Sequence, residues 1–285
     1  MAIEPPPADV VSRVVARALQ EDRALEDVTS SCTVSGRLQG TGTFVAKEDG
    51  VAAGLTVAAE CFRHIDPRVQ FKVVVGEGQA FRRGETLATV SGSVRAILEG
   101  ERVALNFLQR LSATATLTRA FVEAVAGTGT KILDTRKTTP GLRDLEKYAV
   151  RCGGGTNHRR DLATMAMIKD NHREALARAG MTLAEGVAAI RANHPSVPIE
   201  VEIDRLEELE DALAGSPEWI LLDNMSLAEM AEAVRRTAGR ASLEASGGVT
   251  LETVRAIAET GVEAISVGAL THSAKALDIS LDLSF

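Results

Sequence analysis

The sequence lacks a long apolar segment, a basic N-terminus and any motif of paired cysteines. No run approaches about 18 consecutive apolar residues, so no membrane-spanning helix is expected. The first residues, MAIEPPPADVV, contain prolines and acidic side chains where a signal peptide would have a basic start and an apolar run. Cys32, Cys61 and Cys152 are odd in number and show no metal or redox spacing. We therefore expect reduced thiols in a cytoplasmic protein.

The charge balance argues against nucleic acid as a partner. The chain has a formal net charge of −7 and an isoelectric point near 5.4, with no basic tail. Its 285 residues are 45% apolar and 25% charged, which is ordinary for a soluble globular protein. This length is sufficient for one large domain or two smaller ones with a real core.

The first part of the chain predicts a small sheet followed by a long helix. Between residues 40 and 92, short alternating apolar runs are separated by turn glycines, a pattern typical of antiparallel strands. Residues 94–125 carry a helical apolar stripe, and an interruption of this helix near Ser112 is the alternative. Farther along, Thr139 and Pro140 predict the start of another helix, which the three glycines Gly153–Gly155 end.

From Lys131 onward, apolar runs alternate with helical segments, which predicts a parallel sheet. The predicted strands are residues 131–134, 165–168, 199–203, 219–222, 242–245 and 263–267. Polar residues or glycines follow the strands, namely Arg136, Lys169, Glu202, Asp223, Ser246-Gly247-Gly248 and Gly268. An α/β barrel concentrates its chemistry at these strand ends and often binds phosphate after its last two strands. An open doubly wound sheet is the alternative, although its phosphate glycines usually follow the first strand.

Two glycine-containing turns and two carboxylates indicate a phosphate and magnesium site. Ser246-Gly247-Gly248 precedes a predicted helix at 251–260, and Gly268 follows the next strand. Such turns let backbone N–H groups approach phosphate oxygens. Glu202 and Asp223 end neighbouring strands, so Mg²⁺ held by carboxylates and substrate oxygens fits the pattern. Alternatively, these carboxylates are counterions to nearby cations.

Five titratable residues converge around the glycine-rich loop if the strand ends are adjacent, namely Arg136, Lys137, His158, Arg159 and Lys169. Arginine forks suit bidentate carboxylate binding, while lysine supplies a point charge, so a small polyanion is the expected ligand. The sequence shows no serine or cysteine elbow that would make His158 part of a hydrolytic triad. A Schiff-base lysine of an aldolase, at Lys137 or Lys169, stays open as an alternative.

Several motifs together resemble the quinolinate phosphoribosyltransferase family. They are DTRKTTPGLRDLEKYAVRCGGGTNHR, MIKDNH, ERVALNFLQRLS, IEVEID, ILLDNM, ASGGVT and GVEAISVGALTHS, and the resemblance runs from about Glu21 to the C-terminus. It implies an incomplete α/β barrel at residues 113–271, preceded by an α/β sandwich-like N-terminal domain at 1–112. The tail 272–285 is expected to join that N-terminal domain. The sequence departs from the family pattern at Glu26, where glycine is common, and at Thr164, where an acidic residue is frequent.

The resemblance also implies a reaction and a set of site residues. Phosphoribosyl pyrophosphate and quinolinate would give nicotinate mononucleotide, pyrophosphate and CO₂, with Mg²⁺ as cofactor, in NAD biosynthesis. The implied quinolinate-binding residues are Arg102, Arg136, His158, Arg159 and Lys169. The implied catalytic residues are Lys137, Glu202 and Asp223, of which Glu202 and Asp223 would hold Mg²⁺ directly or through water. The implied phosphate-binding residues are Ser246, Gly247, Gly248 and Gly268.

The family works as a homodimer or a larger oligomer, so the resemblance implies a homodimer or homohexamer with shared sites. Arg102 would then reach quinolinate in the neighbouring subunit. Three alternatives remain at this point: a related phosphoribosyltransferase that acts on another ring acid, a catalytically silent barrel that binds phosphosugars, and an aldolase with a Schiff-base lysine.

Overall fold

The computed structural model describes residues 3–285, and the chain folds into two compact units. The first contains the chain up to Arg119, Lys137–Gly155 and Ala269–Phe285. The second contains Ala120–Arg136 and Thr156–Gly268. Each unit is thus built from more than one stretch of chain.

The helices and strands alternate along most of the chain. The helices are α1 (Ala8–Glu21), α2 (Val28–Thr33), α3 (Leu55–Ile65), α4 (Val94–Ala124), α5 (Arg143–Cys152), α6 (Asp170–Arg178), α7 (Leu183–Asn193), α8 (Leu209–Ala214), α9 (Leu227–Thr237), α10 (Val254–Ala258) and α11 (Ala269–His272). The strands are β1 (Gln39–Ala46), β2 (Gly50–Val51), β3 (Gln70–Val73), β4 (Ala80–Phe81), β5 (Thr86–Ser93), β6 (Lys131–Leu133), β7 (Ala166–Ile168), β8 (Ile199–Ile203), β9 (Trp219–Asp223), β10 (Ser242–Ser246), β11 (Ala264–Ser266) and β12 (Ile279–Ser284). Among residues 3–285, no helix combines the length and apolarity that crossing a bilayer requires.

The first unit is organised around a four-stranded antiparallel sheet with the order β12-β1-β5-β3. The C-terminal strand β12 pairs along β1, with Ile279 opposite Ala46, so the end of the chain completes this sheet. Phe44 on β1, Phe62 on α3 and Phe71 on β3 contact one another with ring centroids 5.7–6.1 Å apart. These aromatic contacts hold α3 against one face of the sheet.

Helix α4 runs without interruption through Ser112, so the alternative of a broken helix is wrong. The hydroxyl of Ser112 accepts a hydrogen bond from the backbone N–H of Ala53 and donates to its carbonyl oxygen, both at 3.1 Å. Because this buried polar group finds its partners on the neighbouring segment, it does not compete with the hydrogen bonds of the helix.

Helix α5 packs into the same core as α4. Leu145, Tyr148 and Cys152 are buried in one cluster with Leu108 and Leu111. The next residue is Gly153, where a Cβ atom would lie 2.5 Å from the Ala115 carbonyl oxygen. Only glycine allows the chain to leave α5 so close to the backbone of α4.

The second unit contains a six-stranded parallel sheet with the order β6-β11-β10-β9-β8-β7. Helices connect successive strands, while β6 and β7 lie at the two edges and do not pair with each other. The predicted strands agree with the observed ones to within two residues. This is the incomplete α/β barrel that the sequence predicts, rather than an open doubly wound sheet.

Candidate active site

One face of the parallel sheet gathers acidic residues at the C-terminal ends of its strands. Glu202 on β8 and Glu244 on β10 both lie opposite Leu221 of β9, and Ser246 lies opposite Asp223. Residues in register on neighbouring strands point to the same face, as do residues two apart along one strand. Glu202, Glu244, Asp223 and Ser246 therefore share one face, and Glu200 joins them from β8.

A buried cluster of His158, Glu200 and Glu244 lies on this face. The Nε2 atom of His158 is 3.0 Å from a Glu200 oxygen and 3.2 Å from a Glu244 oxygen. The three side chains are 7%, 0% and 2% exposed, respectively. Burial lowers the pKa of His158, but the hydrogen bonds and charges of both carboxylates outweigh it and raise this pKa to about 9. Burial raises the pKa of Glu200.

The other ring nitrogen of His158 has a partner too. Its Nδ1 atom accepts a hydrogen bond from the backbone N–H of Arg159 at 2.7 Å. This contact favours the neutral ring, whereas the two carboxylates favour the imidazolium form. An imidazolium ring carries a proton on Nδ1 as well and could not accept this hydrogen bond, so the observed contact corresponds to the neutral ring with its proton on Nε2. One nitrogen or oxygen atom from each of His158, Glu200 and Glu244 could in principle bind a metal ion, since these atoms lie within 4.8 Å of one another. The hydrogen bonds between His158 and the two carboxylates already account for that spacing.

Asp134 holds the segment that carries His158. The Asp134 side chain is fully buried at the end of β6. Its two oxygens accept hydrogen bonds from the Asn157 side-chain amide at 2.6 Å and from the His158 backbone N–H at 2.8 Å. Asp134, Glu200 and Glu244 were not predicted as site residues, although each is a charged residue in or next to a buried strand.

The side chain of Arg159 is partly buried and experiences the positive charge of Arg136. The Arg159 guanidinium donates hydrogen bonds to the Met165 carbonyl oxygen at 3.1 Å and to the Met167 sulfur at 3.4 Å. Burial and then the charge of Arg136 lower the pKa of Arg159, while Glu200 and other glutamates act in the opposite direction. Two like charges in a partly buried position disfavour each other, so their juxtaposition is typical of a binding site for an anion.

Lys169 and Glu202 form an ion pair at the ends of β7 and β8. The Arg173 side chain donates to the Glu202 carbonyl oxygen at 2.9 Å and to both oxygens of Glu208 at 2.7 and 2.8 Å. Burial acts to raise the pKa of Glu208, but hydrogen bonds from Arg205 and Arg173 lower it to about 2. Glu202 is thus held through both its carboxylate and its backbone, and the predicted counterion role is observed for it.

The glycine turn after β10 adopts a backbone conformation that other residues rarely adopt. Gly247 and Gly248 have φ angles of +98° and +57°. A Cβ atom at Gly247 would overlap the side-chain oxygen of Asn224, whose amide group donates to Asp223 at 2.8 Å. The predicted helix at 251–260 is shorter than expected, because α10 comprises only Val254–Ala258 and turns precede it. The dipole of so short a helix adds little to this site.

Comparisons with known proteins now identify the family. The family described as quinolinate phosphoribosyl transferase matches with its N-terminal domain at residues 27–112 and with its C-terminal domain at residues 114–282. The chain belongs to the quinolinate phosphoribosyltransferase family. The predicted family, the α/β fold class and the expectation of a phosphoribosyltransferase are therefore confirmed.

Relatives of this quinolinate phosphoribosyltransferase family member match over most of their length. The nicotinate-nucleotide pyrophosphorylase [carboxylating] of Mycobacterium leprae is 45% identical over 283 residues, which cover 96% of this chain and 98% of the relative. A probable nicotinate-nucleotide pyrophosphorylase [carboxylating] of Bacillus subtilis is 44% identical over 264 residues, 93% of this chain and 90% of the relative. The solved nicotinate-nucleotide pyrophosphorylase of Francisella tularensis superposes with a TM-score of 0.92 at 37% identity, covering 100% and 99% of the two chains.

The residues that the family resemblance implies fall into two groups. Arg136, His158, Arg159, Lys169, Glu202, Asp223, Ser246, Gly247, Gly248 and Gly268 belong to the second unit. Arg102 and Lys137 belong to the first unit and are exposed there, Arg102 on α4 and Lys137 on a loop. The carbonyl oxygen of Lys137 accepts a hydrogen bond from the Thr271 hydroxyl at 2.7 Å, which anchors that loop.

Proposed function

We propose that this protein transfers the phosphoribosyl group of phosphoribosyl pyrophosphate to quinolinate with loss of CO₂, giving nicotinate mononucleotide and pyrophosphate. The observation that carries the proposal is the set of cations beside the buried acidic cluster: Arg159 directly follows His158 of that cluster, and the charge of Arg136 acts on Arg159. With Lys169 at the end of β7, these cations suit the two carboxylates of a pyridine-2,3-dicarboxylate. The names of the relatives support the same reaction.

The phosphoribosyl group would bind at the ends of β10 and β11 on the same face. Ser246, Gly247, Gly248 and Gly268 are the proposed ligands of its 5-phosphate, since the positive φ angles of Gly247 and Gly248 would let backbone N–H groups approach an oxyanion. Glu202 and Asp223 fit Mg²⁺ because both carboxylates end adjacent strands on one face and offer hard oxygen donors. Bound Mg²⁺ would neutralise charge on the departing pyrophosphate. Lys137 is proposed to contact the same group.

The residues of this chain would act mainly by orientation and electrostatics. The cations hold the ring acid so that the lone pair of its nitrogen forms a bond to C1 of the ribose. The bond from C1 to pyrophosphate breaks, and its electron pair leaves with pyrophosphate. The carboxylates of Glu202 and Asp223 favour the positive charge that develops on the ribose. The resulting pyridinium accepts the electron pair of the 2-carboxylate bond as CO₂ leaves, and C2 then takes up a proton.

The proposal includes a shared site. Arg102 would reach quinolinate in the neighbouring subunit of a homodimer or homohexamer, and the enzyme would work in the cytoplasm. These statements rest on the family resemblance and on the composition of the sequence. The exposure of Arg102 supports the shared site alone, because an exposed cation on α4 is available to a second copy of the chain.

Calorimetric titration of quinolinate and nicotinate tests the role of the cations. One hydrogen-bonded contact to a charged group contributes about 1.5–3 kcal/mol, so quinolinate should bind about 10- to 100-fold tighter than the monoacid. Arg159→Met should remove most of this preference. Arg160→Met is the matched control, because Arg160 is exposed and contacts Asp161 at 3.2 Å. Equal affinity for both acids in the unmodified protein would contradict the proposal and favour a related enzyme for another ring acid.

A further inference from the structure

Three buried carboxylates, those of Asp134, Glu200 and Glu244, contact the two residues that immediately precede Arg159. Burying a carboxylate is unfavourable unless the group is hydrogen-bonded or paired. All three have partners on the short segment 157–158, from three different strands or strand ends. Their shared target points to a common role.

We propose that Glu200, Glu244 and Asp134 are positioning residues that aim Arg159 at the ring acid by fixing His158. The inference rests on the proposed function, since it deepens the account of how the quinolinate site is held. None of the three carboxylates needs to touch the substrate for this role. Each acts through the peptide and the imidazole that precede Arg159.

The contacts form a continuous path to Arg159. Glu200 and Glu244 hold Nε2 of His158 at 3.0 and 3.2 Å, and Asp134 holds its backbone N–H at 2.8 Å. Nδ1 of the same ring accepts the backbone N–H of Arg159 at 2.7 Å. The imidazole is therefore held at both ring nitrogens, and a rotation of the ring would break the contact that fixes the backbone of Arg159.

Arg159 is also sensitive to such a displacement. The far end of its side chain is held by the Met165 carbonyl oxygen and the Met167 sulfur, at 3.1 and 3.4 Å. These contacts at both ends orient the guanidinium group. A shift of its backbone would misalign that fork with a planar carboxylate, and misplacement by about 1 Å can cost up to about 100-fold in reaction rate.

The test is a double-mutant cycle between Glu244 and Arg159, measured as dissociation constants for quinolinate and for phosphoribosyl pyrophosphate. Glu244→Gln keeps the size of the side chain but removes the charge that orients the ring. We expect the dissociation constant for quinolinate to rise about tenfold, while the dissociation constant for phosphoribosyl pyrophosphate changes less than about twofold. In an Arg159→Lys background, the same change should raise the quinolinate constant less than about threefold, because coupled residues are not additive.

Glu263→Gln is the matched control. The Glu263 carboxylate belongs to the same unit and accepts the Leu243 backbone N–H at 2.7 Å, but it lies just before β11, away from the strand ends that carry the site. The Glu263→Gln substitution should leave both dissociation constants unchanged. A cooperative thermal unfolding transition in each variant would show that the variant is folded.

Three results would overturn the inference, the third being that Glu244→Gln loses nothing. The first is a tenfold loss that persists in full in the Arg159→Lys background, which would mean that Glu244 acts independently of Arg159. The second is an equal loss for both substrates, which would indicate general damage to the barrel. If the unmodified protein binds no quinolinate, the proposed function itself fails. If it binds quinolinate and Glu244→Gln loses nothing, only the positioning role fails.

Discussion

Replacement of Gly247 by alanine tests how the glycine turn after β10 serves the phosphate site. Gly247 has a φ of +98°, and an added Cβ atom would overlap the Asn224 side-chain oxygen. Asn224 would have to move, and its hydrogen bond to Asp223, 2.8 Å long, would be lost or weakened. The substitution therefore strains the backbone and disturbs a proposed Mg²⁺ ligand at once.

The magnitude follows from these two effects. A left-handed backbone conformation costs a non-glycine residue about 1–2 kcal/mol. Loss of the contact between Asn224 and Asp223 adds about 1 kcal/mol. The total of about 2–3 kcal/mol divides between folding and binding. If the turn keeps its conformation, unfolding becomes easier; if it relaxes, phosphoribosyl pyrophosphate binds up to about 100-fold more weakly.

Urea unfolding and calorimetric titration of phosphoribosyl pyrophosphate measure the two parts separately, and their sum should be about 2–3 kcal/mol. Gly127→Ala is the control, because Gly127 has a φ of +83° in the same unit but no atom lies within 4 Å of its added Cβ. It should lower stability by about 1–2 kcal/mol and leave binding unchanged. If Gly247→Ala loses no more than this control and binds normally, the described role of the turn is wrong.

Two further predictions concern titratable groups away from the phosphate turn. Hydrogen bonds from Arg205 and Arg173 hold the pKa of Glu208 at about 2, well below the ordinary value of 4.5. The Glu208 carboxylate therefore stabilises the fold above pH 4.5, and this contribution disappears as the pH falls towards 2. Glu208→Gln should therefore lower the free energy of unfolding by about 1 kcal/mol at pH 7, after allowance for solvent screening. Urea titrations should show that the difference in unfolding free energy between the two proteins shrinks below about pH 4.5. A constant difference down to about pH 2.5 would contradict this assignment. Burial raises the pKa of the Cys61 and Cys152 thiols to about 12, whereas Cys32 is exposed. Iodoacetamide at pH 8 should label Cys32 alone in the folded protein and all three cysteines in urea, as mass spectrometry would show, and rapid labelling of Cys61 without denaturant would refute it.

The strands of the barrel were predictable because buried parallel strands have short, nearly continuous apolar sequences. The run at 219–222 corresponds to Trp219–Asp223, and the run at 199–203 corresponds to Ile199–Ile203. Such runs need no tertiary information, since both faces of the strand are covered. The polar residue at each strand end then indicates the edge where the site lies.

The start of α5 was predicted wrongly. Thr139 and Pro140 look like the beginning of a helix, but α5 starts at Arg143. Gly141 adopts a φ of +82°, which interrupts a right-handed helix. The Thr139 backbone N–H and hydroxyl both donate to the carboxylate of Glu146, at 2.9 and 2.7 Å, so this pair links the loop to the helix instead of capping it.

The buried acidic residues of the site were missed for a different reason. Glu202 was predicted as a site residue because it lies near a strand end, whereas Glu200 and Glu244 lie inside strands whose neighbouring residues are mostly apolar. The signal was present, since a glutamate in a buried strand is rare without a partner and Glu200 shares a face with Glu202. The sequence predicted that Arg136 and Arg159 converge only on the condition that the strand ends are adjacent. That condition belongs to the tertiary structure, because 22 residues and a helix separate the two arginines along the chain.

The most direct measurement is a product assay with the purified protein, quinolinate, phosphoribosyl pyrophosphate and Mg²⁺. CO₂ and nicotinate mononucleotide should appear in equal amounts and only when both substrates are present, and nicotinate should not replace quinolinate. Formation of neither product, or equally rapid formation of nicotinate mononucleotide from nicotinate without CO₂, would contradict the proposed reaction.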